Sequence, residues 1–310
     1  LNDYLKDESN QHRIGVACGL AAYGCWGFIP LYFKEIEHVS AMEILCHRVL
    51  WTLLLLALFK LAIQRNGAFR ALLRDPRRLV LLFASGTFIA INWLVFTWAA
   101  THDRVMDTSL GYFINPLFSV FLGVVFLRER LRPAQIAAVS IAGAALVLLV
   151  LRFGQLPWIS LCLAASFGMY GFIRKLVAVD AFTGLFTETL LMAPFLLLYL
   201  GLTAGEGNNA FIIGNWTTRT WLILAGPITT IPLAMFAMAA RRVYLSTLGF
   251  MQYLAPSITL ILAVAVFGEP FGTPQIITFS LIWLALGIYT ADSLGLFRRR
   301  AVPEPVLETE

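Results

Sequence analysis

Residues 82–100 read LFASGTFIAINWLVFTWAA, and residues 222–240 read LILAGPITTIPLAMFAMAA. The two are one pattern. Sliding residues 82–148 forward by 140 positions lays them on 222–288 without a gap. Gly86 falls on Gly226, Phe96 on Phe236, Pro116 on Pro256, Glu129 on Glu269, and Gln135-Ile136 on Gln275-Ile276. Upstream, a shift of 144 brings Cys18, Gly24 and Gly27-Phe28-Ile29 onto Cys162, Gly168 and Gly171-Phe172-Ile173. The match is faint but spread along the whole unit. The unit is apolar and holds an odd number of expected membrane spans. An odd unit used twice must enter the membrane the second time upside down. Such inverted repeats characterise secondary transporters, with the substrate site between the halves.

Composition agrees with a membrane class. Hydrophobic residues make up 59% of the chain and charged residues 13%, about half the charged share of a soluble protein. Several apolar runs reach the ~20 residues that cross a bilayer as helix. They are continuous, so the alternation of a transmembrane barrel is excluded. The net charge of +5 comes from basic clusters between the runs. That placement speaks of orientation, not of nucleic-acid binding. Residues 1–13 are polar and the first apolar run has full span length, which argues against a cleavable signal.

The pattern predicts an all-α polytopic membrane protein with ten transmembrane helices as two inverted five-helix repeats. The spans are 14–33, 41–63, 79–100, 105–127, 134–151, 156–173, 182–202, 219–240, 246–267 and 275–296. Residues 1–13 form an N-terminal tail, 14–151 the first repeat, 156–296 the second, and 297–310 a C-terminal tail. Ser40 and Glu43 read as a capping box opening span two. Arg65, Arg70, Arg74, Arg77 and Arg78 follow span two. Arg128, Arg130 and Arg132 follow span four, Arg174 and Lys175 span six, Arg241 and Arg242 span eight, and Arg298-Arg299-Arg300 span ten. All fall on one side, which the positive-inside rule makes cytoplasmic, with both termini inside.

Ionisable groups within spans need a reason. Glu43, His47 and Arg48 share span two, with Glu43 and His47 one turn apart on one face. Read functionally, they line a cavity, His47 carrying a proton and Arg48 meeting an anion. Read structurally, they are a buried pair fixing helix packing, with Glu43 a cap. Glu188, six residues inside span seven, matches Glu43 across the repeat within one residue. It is either a coupling carboxylate or a packing one.

Tyr112-Phe113-Ile114-Asn115-Pro116 in span four matches Gln252-Tyr253-Leu254-Ala255-Pro256 in span nine. Proline frees a carbonyl and bends a helix, and paired interruptions point to a transporter's site. Tyr112, Asn115, Gln252 and Tyr253 offer hydrogen bonds there, and Asn92 and Trp93 lie at depth in span three. The alternative is that these polar groups bind helix to helix. Glu129 and Glu269 read as gating or interfacial charges. Cys18, Cys25, Cys46 and Cys162 lie inside apolar runs with no CxxC spacing, so neither metal site nor disulfide is expected. No GxxxxGK[ST], HExxH or GxSxG motif occurs, so no ATPase, no enzyme and no cofactor is expected.

Several segments together resemble a known family. They are Ala21-Ala22-Tyr23 through Trp26-Gly27, Glu43-Ile44-Leu45-Cys46-His47-Arg48-Val49-Leu50-Trp51, and Asn92-Trp93 through Trp98-Ala99. Further ones are Ser109-Leu110-Gly111-Tyr112-Phe113-Ile114-Asn115-Pro116-Leu117, Tyr170-Gly171 with Arg174-Lys175, and Leu245 to Phe250 with Gln252-Tyr253. In combination they resemble the RarD-type, "chloramphenicol-sensitive" branch of the EamA transporters in the drug/metabolite transporter superfamily. The resemblance implies ten helices in two inverted halves around a central cavity, in the bacterial inner membrane, and an exporter or permease. The expected partners are a small metabolite or drug-like substrate, the lipid bilayer and protons, with no nucleic acid; no oligomeric state is read from the chain. The rival classes are a membrane-embedded enzyme and a non-transporting receptor or subunit. An enzyme needs a clustered acid–base or metal set, which only span two approaches.

Overall fold

A computed structural model describes residues 2–63, 67–128, 131–177, 179–240, 242 and 251–293. Every regular element among them is helical: α1 (Asn2–Glu35), α2 (Ala41–Ile63), α3 (Gly67–Leu73), α4 (Pro76–Thr101), α5 (Val105–Leu127) and α6 (Pro133–Phe153). There follow α7 (Trp158–Val177), α8 (Ala181–Gly205), α9 (Ala210–Ile213), α10 (Trp216–Ala240), α11 (Leu254–Ile261) and α12 (Thr273–Ser293). Local chemistry sets the ends. Asp75 accepts from the Arg78 N–H and Pro76 opens α4, where a proline's missing N–H is no loss. Asp180 caps α8 by accepting from the Thr183 N–H. Gly154 ends α6 in the left-handed region at φ 64°.

Among the described residues seven helices are long and apolar enough to cross a membrane, and Trp158–Arg174 and Leu254–Val266 are shorter apolar helices. Large apolar side chains face outward along them: Leu61 is 73% and Leu151 79% exposed. Contiguous surface of that kind suits hydrocarbon rather than water.

The expected spans 41–63 and 105–127 coincide with α2 and α5. Three details differ. Helix α1 runs back to Asn2 through the stretch expected as a polar tail, because that stretch carries no helix breaker. Two short helices, α3 and α9, lie in connections expected to be plain loops. In the expected span nine, Gln252 and Tyr253 form a turn, α11 begins after it, and a π-helical segment Leu262–Val266 continues it. Residues 243–250 and Arg298 to Arg300 lie outside the described residues.

Glycines set the closest helix approaches. A Cβ on Gly111 of α5 would lie 3.0 Å from the Ser160 carbonyl oxygen and 3.1 Å from Leu163 Cβ of α7. The 140 and 144 shifts carry this pair onto Met251 and Gly19, and a Cβ on Gly19 would indeed strike Met251. The glycine has changed sides of the same contact. Gly168 lies against Phe118, and Gly27 against Ile258, the repeat mate of Phe118, although the shift of 144 pairs Gly168 with Gly24 and Gly27 with Gly171. Helix pairs follow suit: α4 packs on α7 as α10 does on α1, and α5 on α7 as α11 does on α1. Phe113 and Tyr253, mates of one another, lie near-parallel and offset, with centroids 6.3 Å apart and planes 18° apart. Arg128 and Gly268, also mates, both have positive φ, at 54° and 67°.

Candidate functional site

Helix α2 delivers two nitrogen groups into the bundle. Arg48 is 7% exposed. Its Nε donates to Thr229 Oγ1 of α10 at 2.8 Å, and that hydroxyl in turn donates to the Ala225 carbonyl of its own helix at 2.9 Å. The guanidinium lies 4.3 Å from the Trp93 ring centre of α4 and 6.0 Å from that of Phe33 of α1. Tyr32 and Tyr112 are within electrostatic range. Among the described residues no carboxylate stands within ion-pair distance of Arg48.

His47 stacks on Phe211 at 4.9 Å and 27°. The Trp51 indole donates to its Nδ1 at 3.2 Å. An indole N–H can only donate, so Nδ1 is the bare nitrogen and the proton of the neutral ring sits on Nε2. Nε2 is buried with no hydrogen-bond partner among the described residues.

The two span-matched carboxylates have different surroundings. Ser40 Oγ accepts from the Glu43 N–H at 3.2 Å, which is half of the expected capping box. The other half is missing because the Glu43 carboxylate turns away to accept from the Phe211 N–H at 3.1 Å. Glu188 is 1% exposed. Ser85 Oγ donates to its Oε1 at 2.7 Å, and Arg174 Nη1 approaches the same oxygen at 3.7 Å. Arg174 reaches it from the end of α7 by crossing Gly184, where any Cβ would coincide with the guanidinium. Gly184 and Glu188 are one turn apart, so the glycine is the gap in the α8 face through which the arginine passes. Beside Glu188 is a small cavity of about 10 Å³ lined by Val49, Gly86, Trp93, Leu185 and Met192 among others, room for about one water.

Asn92 is 1% exposed and fully engaged. Its amide nitrogen donates to the Leu163 carbonyl at 3.0 Å and to Ser166 Oγ at 3.1 Å, and its Oδ1 accepts from Tyr112 at 3.2 Å. It therefore joins α4, α5 and α7. Asn115 is 2% exposed on α5. The backbone of α5 is helical through Pro116, whereas Pro256 stands in the first turn of α11, just past the Gln252–Tyr253 turn. Ser109 Oγ donates to the Pro256 carbonyl at 2.8 Å, tying α5 to that break. Glu269 takes the start of α5: its carboxylate accepts from the N–H groups of Val105 at 2.6 Å and Met106 at 2.9 Å. Glu129 lies outside the described residues.

The structure thus brings Arg48, Trp93 and Tyr112 together, sets Trp93 and Glu188 around one small cavity, and puts Tyr253, next to the turn residue Gln252, at the repeat contact. Sequence reading missed Arg174, Gly184, Ser85, Thr229 and Phe211. Only Arg174 carried a signal, and it was read as a cytoplasmic charge because it stands at a span end.

Comparison with known proteins bears on this geometry. The EamA-like transporter family matches residues 13–151. An uncharacterized transporter of Pseudomonas aeruginosa is 42% identical, over 94% of this chain and 98% of its own. Protein RarD of Escherichia coli is 40% identical over 94% and 99%, and the chloramphenicol-sensitive protein RarD of Pseudomonas aeruginosa 30% over 93% and 97%. A crystal structure 19% identical superposes with a TM-score of 0.57 over 92% of this chain and 99% of the other, a likeness of fold alone. Matched over nearly its whole length by named transporters, this multi-pass membrane chain belongs to the EamA-like transporter family, in its RarD-type branch.

Proposed function

We propose that the chain is a secondary transporter that carries a small metabolite or drug-like compound across the bacterial inner membrane by alternating access. Two five-helix halves, inverted and with both termini cytoplasmic, rock about a site between them. The observation that carries this reading is the set of repeat-related contacts converging on the stacked mates Phe113 and Tyr253. A stacked pair of equivalent residues is what a pseudo-two-fold axis in the membrane plane would leave, and transporter sites gather at such an axis. Arg48, Trp93, Tyr112, Asn115, Gln252 and Tyr253 line the path. Asn92 holds it in register through its three bonds.

Coupling to protons falls to Glu188 or His47. Glu188 is a carboxylate out of water whose second oxygen has no hydrogen-bond partner among the described residues, and such a group is stable either paired or neutral. The test is solute flux in proteoliposomes under an imposed pH gradient. Transport that follows the gradient, and is lost from the gradient but not from exchange in Glu188→Gln, supports the assignment. Flux unchanged when the gradient is collapsed leaves a facilitator.

A further inference from the structure

We infer that Arg48 and the aromatic rings around it form the recognition site for a small organic monoanion, a carboxylate with an apolar or aromatic body. This deepens the transporter reading above and rests on it for the ligand's route.

A guanidinium is always protonated, so Arg48 brings a full positive charge into the bundle. A buried charge requires a partner of opposite sign or a dense set of acceptors. Arg48 has one acceptor, the Thr229 hydroxyl, and uses Nε for it. Thr229 has already given its own proton to Ala225. The two carboxylates that could have served are committed elsewhere, Glu43 to the Phe211 N–H and Glu188 to Ser85 and Arg174. The terminal nitrogens, the pair that matches a carboxylate fork, make no hydrogen bond among the described residues. Next along α2, the Nε2–H of His47 is a second donor with no acceptor among the described residues.

Shape and charge count then select the ligand. The guanidinium is bordered by the rings of Trp93 and Phe33, surfaces that accept an aryl or alkyl body by stacking. Only one cation is present, and no other Lys or Arg pairs into the site among the described residues. A phosphate monoester carries about −1.5 to −2 at neutral pH, more than one guanidinium neutralises. A monocarboxylate balances it one for one.

The experiment uses the full chain in nanodiscs of zwitterionic phosphatidylcholine, with benzoate, benzamide and benzylamine as probes of one shape and three charges. Binding is read from tryptophan fluorescence, since Trp93 lies against Arg48, and from the thermal midpoint. Benzoate should quench and stabilise, and benzamide and benzylamine should not. Arg48→Gln should weaken benzoate by about ten- to a hundredfold, the loss of one charge-assisted contact, while Arg48→Lys keeps part of it. A folded Arg48→Gln protein is recognised by an unchanged elution profile. If it does not fold, Arg48→Lys and Thr229→Val carry the test, each expected to weaken benzoate while benzamide still gives no response.

Equal response to benzoate and benzamide overturns the inference, as does undiminished benzoate binding in the Arg48 variants. Replacing the lipid by anionic phosphatidylglycerol gives a further arm. If that lipid alone abolishes benzoate binding, the counter-ion of Arg48 is a headgroup and the inference falls. Proteoliposome flux separates this from the transport reading. Arg48-dependent binding of benzoate without flux of any solute removes transport and keeps the site. Flux of neutral solutes with no anion binding does the reverse.

Discussion

Replacing Gly184 by alanine should weaken the protein in its native background and strengthen it once Arg174 is gone. The added Cβ falls on the Arg174 guanidinium. The crowded group is the end of a flexible side chain, so the helix stays and the arginine leaves. Its departure removes the 3.7 Å approach to Glu188 and the Nη2 bonds to the carbonyls of Val179 at 3.4 Å and Asp180 at 3.2 Å. Glu188, 1% exposed, then keeps Ser85 as its hydrogen-bond donor. A hydrogen bond to a charged group contributes about 1.5–3 kcal/mol. Alanine in place of glycine within a helix returns about 1 kcal/mol. The expected net loss is about 0.5–2 kcal/mol. In Arg174→Ala protein the clash is absent and only the helix term remains, so the same Gly184→Ala change should stabilise by up to about 1 kcal/mol. The assay is reversible unfolding by SDS in mixed micelles, run as a double-mutant cycle. Equal effects of Gly184→Ala in both backgrounds would refute the claim that the glycine serves the arginine.

Gly226→Ala should cost about 1–3 kcal/mol by overpacking, because its Cβ would lie 2.6 Å from Trp51 Cβ and 2.9 Å from the Trp51 backbone carbon. Its mate Gly86 has 3.4 Å to the nearest atom, so Gly86→Ala should be near neutral in the same unfolding assay. Asn92→Ala leaves the Tyr112 hydroxyl and the Leu163 carbonyl without this partner and should lower stability by about 1–3 kcal/mol. Arg128→Gly relieves a left-handed φ of 54° and should gain about 1 kcal/mol. Burial raises the Glu269 carboxyl above the ordinary glutamate range, against the Met106 and Val105 N–H groups that favour its charge. A folded-state value above the unfolded one means that this group's contribution is full at low pH and fades as pH rises through the raised value. Glu269→Gln should therefore flatten that part of the stability–pH curve, and an unchanged curve would contradict it.

Much of the architecture was legible because it depends on local rules. Spans 41–63 and 105–127 are bounded by polar connections and filled with apolar residues, so length and hydropathy locate them. Pro133 at the head of α6 and Gly154 beyond its end are punctuation of the same local kind. Contacts between distant segments are not local and were not legible. Glu43 has the sequence of a capping box, yet its carboxylate goes to Phe211, 168 residues away, because α9 brings bare N–H groups to it. Arg174 stands at a span end like any cytoplasmic arginine. Only the packing of α7 near a glycine in α8 turns it inward. Asn92 was read as either a substrate contact or a helix tie, and nothing in spacing separates these until Leu163 and Ser166 are seen beside it.

The repeat itself separates packing from chemistry. Helix-packing contacts keep its offsets only in part: Gly111 with Leu163 answers Met251 with Gly19, while Ile258, the mate of Phe118, meets Gly27 rather than Gly24, the mate of Phe118's partner Gly168. The buried charges of α2 and α8 do not. At the shift of 144 that fits the first helices, Arg48 lands on Met192 and Glu188 comes from Ile44. Glu43 lands on Thr187, one residue short of Glu188, and one residue turns a helical side chain by about 100°. The two carboxylates therefore face different neighbours, one the α9 backbone and the other Ser85 and Arg174. If these charges only held helices together, the repeat-related helix pairs would be served by repeat-related charges. In the proposed transport cycle a symmetric frame would serve two equivalent rocking halves. On that reading Arg48 of α2 and the paired Glu188 of α8 would give the path between the halves a polarity, and a cargo with one charged end needs that asymmetry.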